Sequence, residues 1–171
     1  MARSLSPRLL RFVLNLYPPY LGAGIRVVDI APDFRRAAVE MPLRWYNRNF
    51  VGTHFGGSLY AMTDPFFALL VLNNLTPDYR VWDRAASITF VAPGRGRMRA
   101  EFVITDEDLG TIAKMTAGGD KHLHLFKADI VDAEGLVVAR VDKVVYVRRG
   151  RDARRGDADG AAAGAAAGAA A

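Results

Sequence analysis

Apolar and polar positions change period several times along this chain, and each change marks an element. Over residues 9–17, Leu9, Val13 and Leu16 stand beside Leu10, Leu14 and Tyr17, the stripe of a short amphipathic helix that Pro18-Pro19 ends. Residues 24–30 and 34–41, rich in β-branched residues and alanine, read as two strands about a turn at Ala31-Pro32-Asp33. A loop rich in Asn and aromatic residues then leads through Gly56-Gly57 into residues 59–72, where periodicity disappears. Apart from the aromatic Tyr60, only Thr63 and Asp64 are polar there, so the stretch predicts a helix buried on all sides. Pro65 removes a backbone hydrogen bond inside that helix and should kink it beside Asp64.

The second half returns to period two. Residues 86–92 form one expected strand. In residues 97–104, Met98, Ala100, Phe102 and Ile104 alternate with Arg97, Arg99 and Glu101, as in a half-buried strand. Thr105 to Asp108 offers a capping-box start to a short helix that Gly118-Gly119 can end. Residues 122–131 and 136–147 are two long strands joined by a four-residue hairpin, Asp132 to Gly135. Six antiparallel strands need a cover for their apolar face, and the 59–72 helix is the element apolar enough to supply it. The expected class is therefore α+β, a curved antiparallel sheet wrapped around a long central apolar helix, the hot-dog arrangement.

Composition narrows this picture. Half the residues are apolar, enough for one domain with a real core across residues 1–149, the N-terminal amphipathic helix included. From residue 150 to 171 the Gly/Ala-rich sequence has no large side chain to bury and is expected to be a disordered tail. The net charge of +5 is spread over scattered Lys and Arg, without a basic arm or a nucleic-acid motif. The absence of cysteine excludes disulfides, thiolate nucleophiles and Cys-rich zinc sites, and suits a reducing cytoplasm. Arg11 and Asn15 interrupt the N-terminal apolar run, which therefore fails as a signal peptide, and the central run is too short to span a bilayer. Arg8 and Arg11 give the first helix a basic face that could rest on a membrane, although packing on the protein's own core is the commoner fate. His122 and His124 share a strand face, but with no third ligand nearby they favour packing over a metal site.

The chemistry concentrates at Asp64. A buried, unpaired carboxylate costs several kcal/mol or neutralises itself, so its place in an apolar helix calls for a reason, and catalysis is the leading one. Eight residues earlier, Gly56-Gly57 can open the helix with backbone amides that a substrate can approach. At 1.5 Å rise per residue the separation is on the order of 12 Å, too far for both to serve one carbonyl within one chain. A homodimer in which Asp64 of one chain faces the Gly56-Gly57 turn of the other removes the difficulty. Structural roles compete throughout: Gly56-Gly57 could be a packing turn, Asn49 a loop residue bonded to its own backbone, and Asp64 a cap for backbone freed by Pro65.

The segments Tyr17-Pro18-Pro19, Gly22-Ala23-Gly24, Gly52-Thr53-His54-Phe55-Gly56-Gly57-Ser58-Leu59-Tyr60, Asp64-Pro65, Val81-Trp82-Asp83 and Tyr146-Val147-Arg148 resemble a bacterial domain-of-unknown-function family of the thioesterase-like hot-dog superfamily. The family is related to phenylacetate-pathway-type acyl-CoA thioesterases. The resemblance implies a hydrolase that cleaves a thioester to a carboxylic acid and a free thiol, with no cofactor and no metal. It implies Asp64 as base or nucleophile, Gly56 and Gly57 as oxyanion site and Asn49 as the upstream loop residue. Phe55 stands where those enzymes carry histidine and takes the substrate contact, with His54 one place earlier. The substrate would be an acyl-CoA or acyl-carrier thioester, and Arg95, Arg97 and Arg99, or Lys143 and Arg148, could meet its phosphates, although a solvated sheet face explains the same residues equally well. Its acyl chain would run along the central helix among Tyr60, Phe66, Phe67 and Leu70, although core packing is the default role of those side chains. The resemblance also implies a homodimer, with dimers able to pair into tetramers.

Two rivals are weighed. His54-Phe55 followed by Gly57 is similar to the His-Phe-Pro-Gly turn of hot-dog dehydratases, but Ala68 stands where those enzymes need Glu and Gly56 where they have Pro. The other rival is a non-catalytic hot-dog dimer that binds acyl thioesters or fatty acids.

Overall fold

The computed structural model describes residues 5–150; the Gly/Ala-rich tail expected beyond them lies outside the described residues. Helix α1 (Pro7–Asn15) is capped by Ser6, whose hydroxyl accepts from the Leu9 amide. Pro18-Pro19 does end it, but also opens a second helix, α2 (Pro18–Ala23), because proline's missing N–H costs nothing in a first turn. Strands β1 (Arg26–Ile30) and β2 (Arg36–Pro42) follow, then helices α3 (Gly56–Ala61) and α4 (Phe66–Asn74). Strands β3 (Tyr79–Phe90) and β4 (Arg97–Val103), helix α5 (Asp106–Thr116), and strands β5 (Lys121–Val131) and β6 (Val137–Arg149) complete the described residues.

All six strands join one antiparallel curved sheet in the order β1-β2-β4-β5-β6-β3. The cover is α4, whose Phe66 stacks on Phe102 at 4.7 Å and whose Phe67 stacks on Phe126 at 4.6 Å. One core holds Val39, Met41, Phe102, Ile130 and Val145 from the sheet with Met62, Leu70 and Val71 from the central segment.

The central helix is corrected in one respect. Rather than a single kinked rod over 59–72, the chain leaves helical geometry after Ala61 and resumes it at Phe66. A proline disfavours helical backbone at the residue before it as well as breaking the ladder behind it, so the interruption falls on residues 62–65. Asp64 is thereby lifted out of the apolar surroundings expected for it.

The two sheet margins differ. At β1, the Asn15 side chain accepts from the Val27 amide at 2.8 Å and donates to the Val27 carbonyl at 3.0 Å, while Arg11 donates to the Val28 carbonyl at 3.1 Å. Helix α1 thus takes up hydrogen-bonding groups of that edge. At the other margin β3 pairs on one side with β6, and among the described residues no strand pairs on its other side.

Candidate active site

The break between α3 and α4 places Asp64 at the surface, its side chain 53% exposed, and gives it a partner. Lys143 Nζ, 1% exposed, donates to Asp64 Oδ1 at 2.9 Å and to Asp83 Oδ2 at 2.8 Å. Asp64 is thus neither buried nor unpaired, and the reason for its position lies in β6 and β3. Lys143 belongs to the inward-facing series Ala139, Val141, Lys143, Val145, Val147, so its ammonium enters the core side of the sheet and needs carboxylates there. Asp83 stands opposite Val145 in the β3–β6 pair, on the same face as Lys143, and the register shifts immediately after it, between Asp83 and Ala85. The Tyr60 ring lies 5.3 Å from the same ammonium, and the Tyr20 hydroxyl donates to the Asp64 backbone carbonyl.

Two carboxylates around one cation compete for it. Burial pushes the Asp64 carboxyl up, but hydrogen bonds with Lys143 and Asp83 outweigh it and hold the group below its ordinary value. Asp83 moves the other way, raised by burial and then by the neighbouring Asp64 despite the bond from Lys143. Its second oxygen, Oδ1, is buried without a hydrogen-bond partner. Burial alone would discharge Lys143; the bonds to Asp83 and Asp64 reverse that and keep it protonated. The cluster therefore offers an ionised, half-exposed Asp64 fixed through one oxygen.

The glycine turn lies at the other end of α3. Gly56 and Gly57 occupy its first turn, where amide groups have no intrahelical acceptor. A Cβ on Gly56 would meet Phe90 Cζ at 2.8 Å, and one on Gly57 would meet Phe55 Cε1 at 2.5 Å, so both positions are kept small by aromatic neighbours. A cleft of about 670 Å³ opens beside the turn, lined in part by Asn49, His54, Gly56, Phe90 and Arg95.

The remaining sequence candidates separate into those near this cleft and those away from it. Asn49 lines the cleft, with its amide donating to the Thr53 hydroxyl and the His54 carbonyl while its oxygen accepts from Val51 and Thr53. His54 is buried; Nε2 bonds the Gly96 carbonyl at 3.0 Å, Nδ1 has no partner, and burial pushes the ring's pKa down. Phe55 and Tyr60 are exposed. Arg95 reaches the cleft, whereas Arg97 and Arg99 are ion-paired with Glu40, and Arg99 also with Glu101. Phe66, Phe67 and Leu70 are sealed in the core. His122 and His124 form a chain of hydrogen bonds ending on Asp108 Oδ1, and among the described residues no cluster could hold a metal ion. Asp83 is a site partner that sequence reasoning about Asp64 does not reach, and Lys143 has a different role from the phosphate contact first considered for it.

Residues 6–147 match the family described as Domain of unknown function (DUF4442). The chain belongs to this family. Among solved structures, this DUF4442 protein is similar to a Pseudomonas aeruginosa protein of unknown function named as a probable thioesterase. The TM-score is 0.75 at 18% identity, over 87% of this chain and 99% of that one. A thioesterase from Haemophilus influenzae superposes with a TM-score of 0.63 at 12% identity, covering 86% of this chain and 94% of that one. A variant of the phenylacetic acid degradation protein PaaI from Thermus thermophilus gives 0.53 at 22%, covering 75% and 97%. No curated protein matches the chain. The likeness establishes the hot-dog fold for this DUF4442 protein, with α4 as the helix inside the sheet.

Proposed function

We propose that this DUF4442 protein hydrolyses acyl thioesters at a site shared by two copies of the chain. The observation that carries the reading is the half-exposed Asp64 carboxylate, fixed at one oxygen by Lys143 immediately after a helix that begins with two glycines. A substrate carbonyl oxygen would lie on the Gly56 and Gly57 amides, whose dipoles favour the negative charge that develops there. Asp64 would take the proton of the attacking water; the C–S bond then breaks and the thiolate leaves with that proton, giving a carboxylic acid and a free thiol. In the nucleophilic variant Asp64 itself attacks and water cleaves the mixed anhydride. Arg95 would meet a phosphate of the carrier, a role supported by its place in the lining of the cleft. The open β3 edge supports a homodimer, since two such edges can pair and bring Asp64 of one copy towards the turn of the other.

A second reading rests on the same cluster. A carboxylate held low by Lys143 is a weak base, and Phe55 leaves the turn without an exposed imidazole, which suits a non-catalytic dimer that binds acyl thioesters. Thiol release from short, long and aromatic acyl-CoAs decides between them, because a chain without cysteine adds no background to thiol trapping. The hydrolase reading expects turnover that Asp64→Asn lowers by about two orders of magnitude or more. A folded dimer that binds acyl-CoA without releasing thiol establishes the second reading.

A further inference from the structure

Helix α1 turns only part of its apolar surface inward. Leu10 is buried and Leu14 partly so, whereas Leu9, Phe12, Val13 and Leu16 are exposed, Phe12 by 61% and Leu16 by 56%. With about 3.6 residues per turn, these four fall within one arc of roughly 100° on the side away from the sheet. Tyr17 and Leu21 extend the patch onto α2. Arg8 stands at one margin of the arc and Arg11 beyond it. On that flank a cleft of about 470 Å³ is lined by Arg8, Arg11, Arg26, Arg44 and Arg97. The single acid lining it, Glu40, is already held by Arg97 and Arg99, so the flank carries an excess of positive charge.

We propose that this face docks α1 on an anionic lipid surface, Leu9, Phe12 and Leu16 entering the acyl boundary while the flanking arginines meet lipid phosphates. The layered arrangement argues for it: a helix lying in a bilayer interface needs an apolar arc on one side and cations at headgroup depth beside it. A second copy of the chain answers the apolar arc but not the charge, since it would bring the same arginines and no excess of acid to meet them. An acidic protein answers the charge and leaves the arc without a non-polar cover. The proposal does not depend on the reaction assigned to Asp64.

The test is flotation of the full chain with vesicles of phosphatidylcholine, with and without phosphatidylglycerol. Binding is expected to rise with the anionic lipid and to fall as salt is raised to several hundred millimolar, where screening shortens the reach of the arginines. The Phe12→Ser/Leu16→Ser variant, altered only at exposed positions, should keep its circular dichroism and lose at least about tenfold in apparent affinity. Arg8→Glu/Arg44→Glu should lose the preference for the anionic lipid. No binding to anionic vesicles at low salt overturns the proposal, as does binding that both variants retain. Self-association abolished by the Phe12 and Leu16 changes without vesicle binding would make a second copy the occupant. Capture by an acidic carrier protein without vesicle binding would make it a protein, and either result overturns the lipid assignment.

Discussion

Lys143 determines what Asp64 can be. Replacing it with Met leaves two carboxylates facing each other without their cation, a loss of about 3 kcal/mol in urea denaturation at pH 7. That is the low end for breaking a buried pair, because Asp64 opens to solvent. The Asp64 carboxyl should also titrate at higher pH in Lys143→Met, which carbon-detected NMR reads directly. The sign of the pH dependence follows. Asp64 has a folded value below its ordinary 3.8, so its contribution is present above 3.8 and is lost as pH falls through the folded value. The gap in stability between wild type and Lys143→Met should narrow over that acidic window. An Asp64 titration unmoved by the substitution would show that the lysine does not set its charge. Lys143 itself was open to discovery from sequence: in the run Ala139, Val141, Lys143, Val145, Val147 it is the one charged residue on an apolar period-two face. Asp83 gave no such sign, because its place opposite Val145, beside Lys143 on the same face, is set by the β3–β6 register and not by a local pattern.

At the scale of elements, local signals were read well where one physical cause dominates. The α5 capping box is present with both reciprocal bonds, Thr105 accepting from the Asp108 amide and Asp108 from the Thr105 amide. Two elements escaped because two causes overlap. The Pro18-Pro19 pair signals both a stop and a start, which hid α2. Arg80, Asp83 and Arg84 obscured the first half of β3, which begins at Tyr79 rather than near residue 86. Asn15 shows how much one side chain can do for an element. Asn15→Ala would strip both hydrogen bonds from Val27, at a cost of about 2 kcal/mol in chemical denaturation, and should speed amide hydrogen exchange along β1.

At the scale of the molecule, the central helix and the sheet were legible because a 14-residue apolar run among period-two strands admits few arrangements. Pro65 makes the interruption at residues 62–65 legible as a kink, whereas the partner that Asp64 meets there, Lys143, lies 79 residues further along the chain. A site shared between two copies requires association, so sedimentation at micromolar concentration should give twice the 18.7 kDa chain mass; a monomer there would overturn the shared site. Asn15 and Arg11 bear on this assembly as well. They occupy polar groups of Val27 and Val28 on the β1 margin, whereas among the described residues no strand pairs on the outer side of β3. Should two copies pair through β3, each would have used the margin it had to offer, and strand addition would stop at that pair.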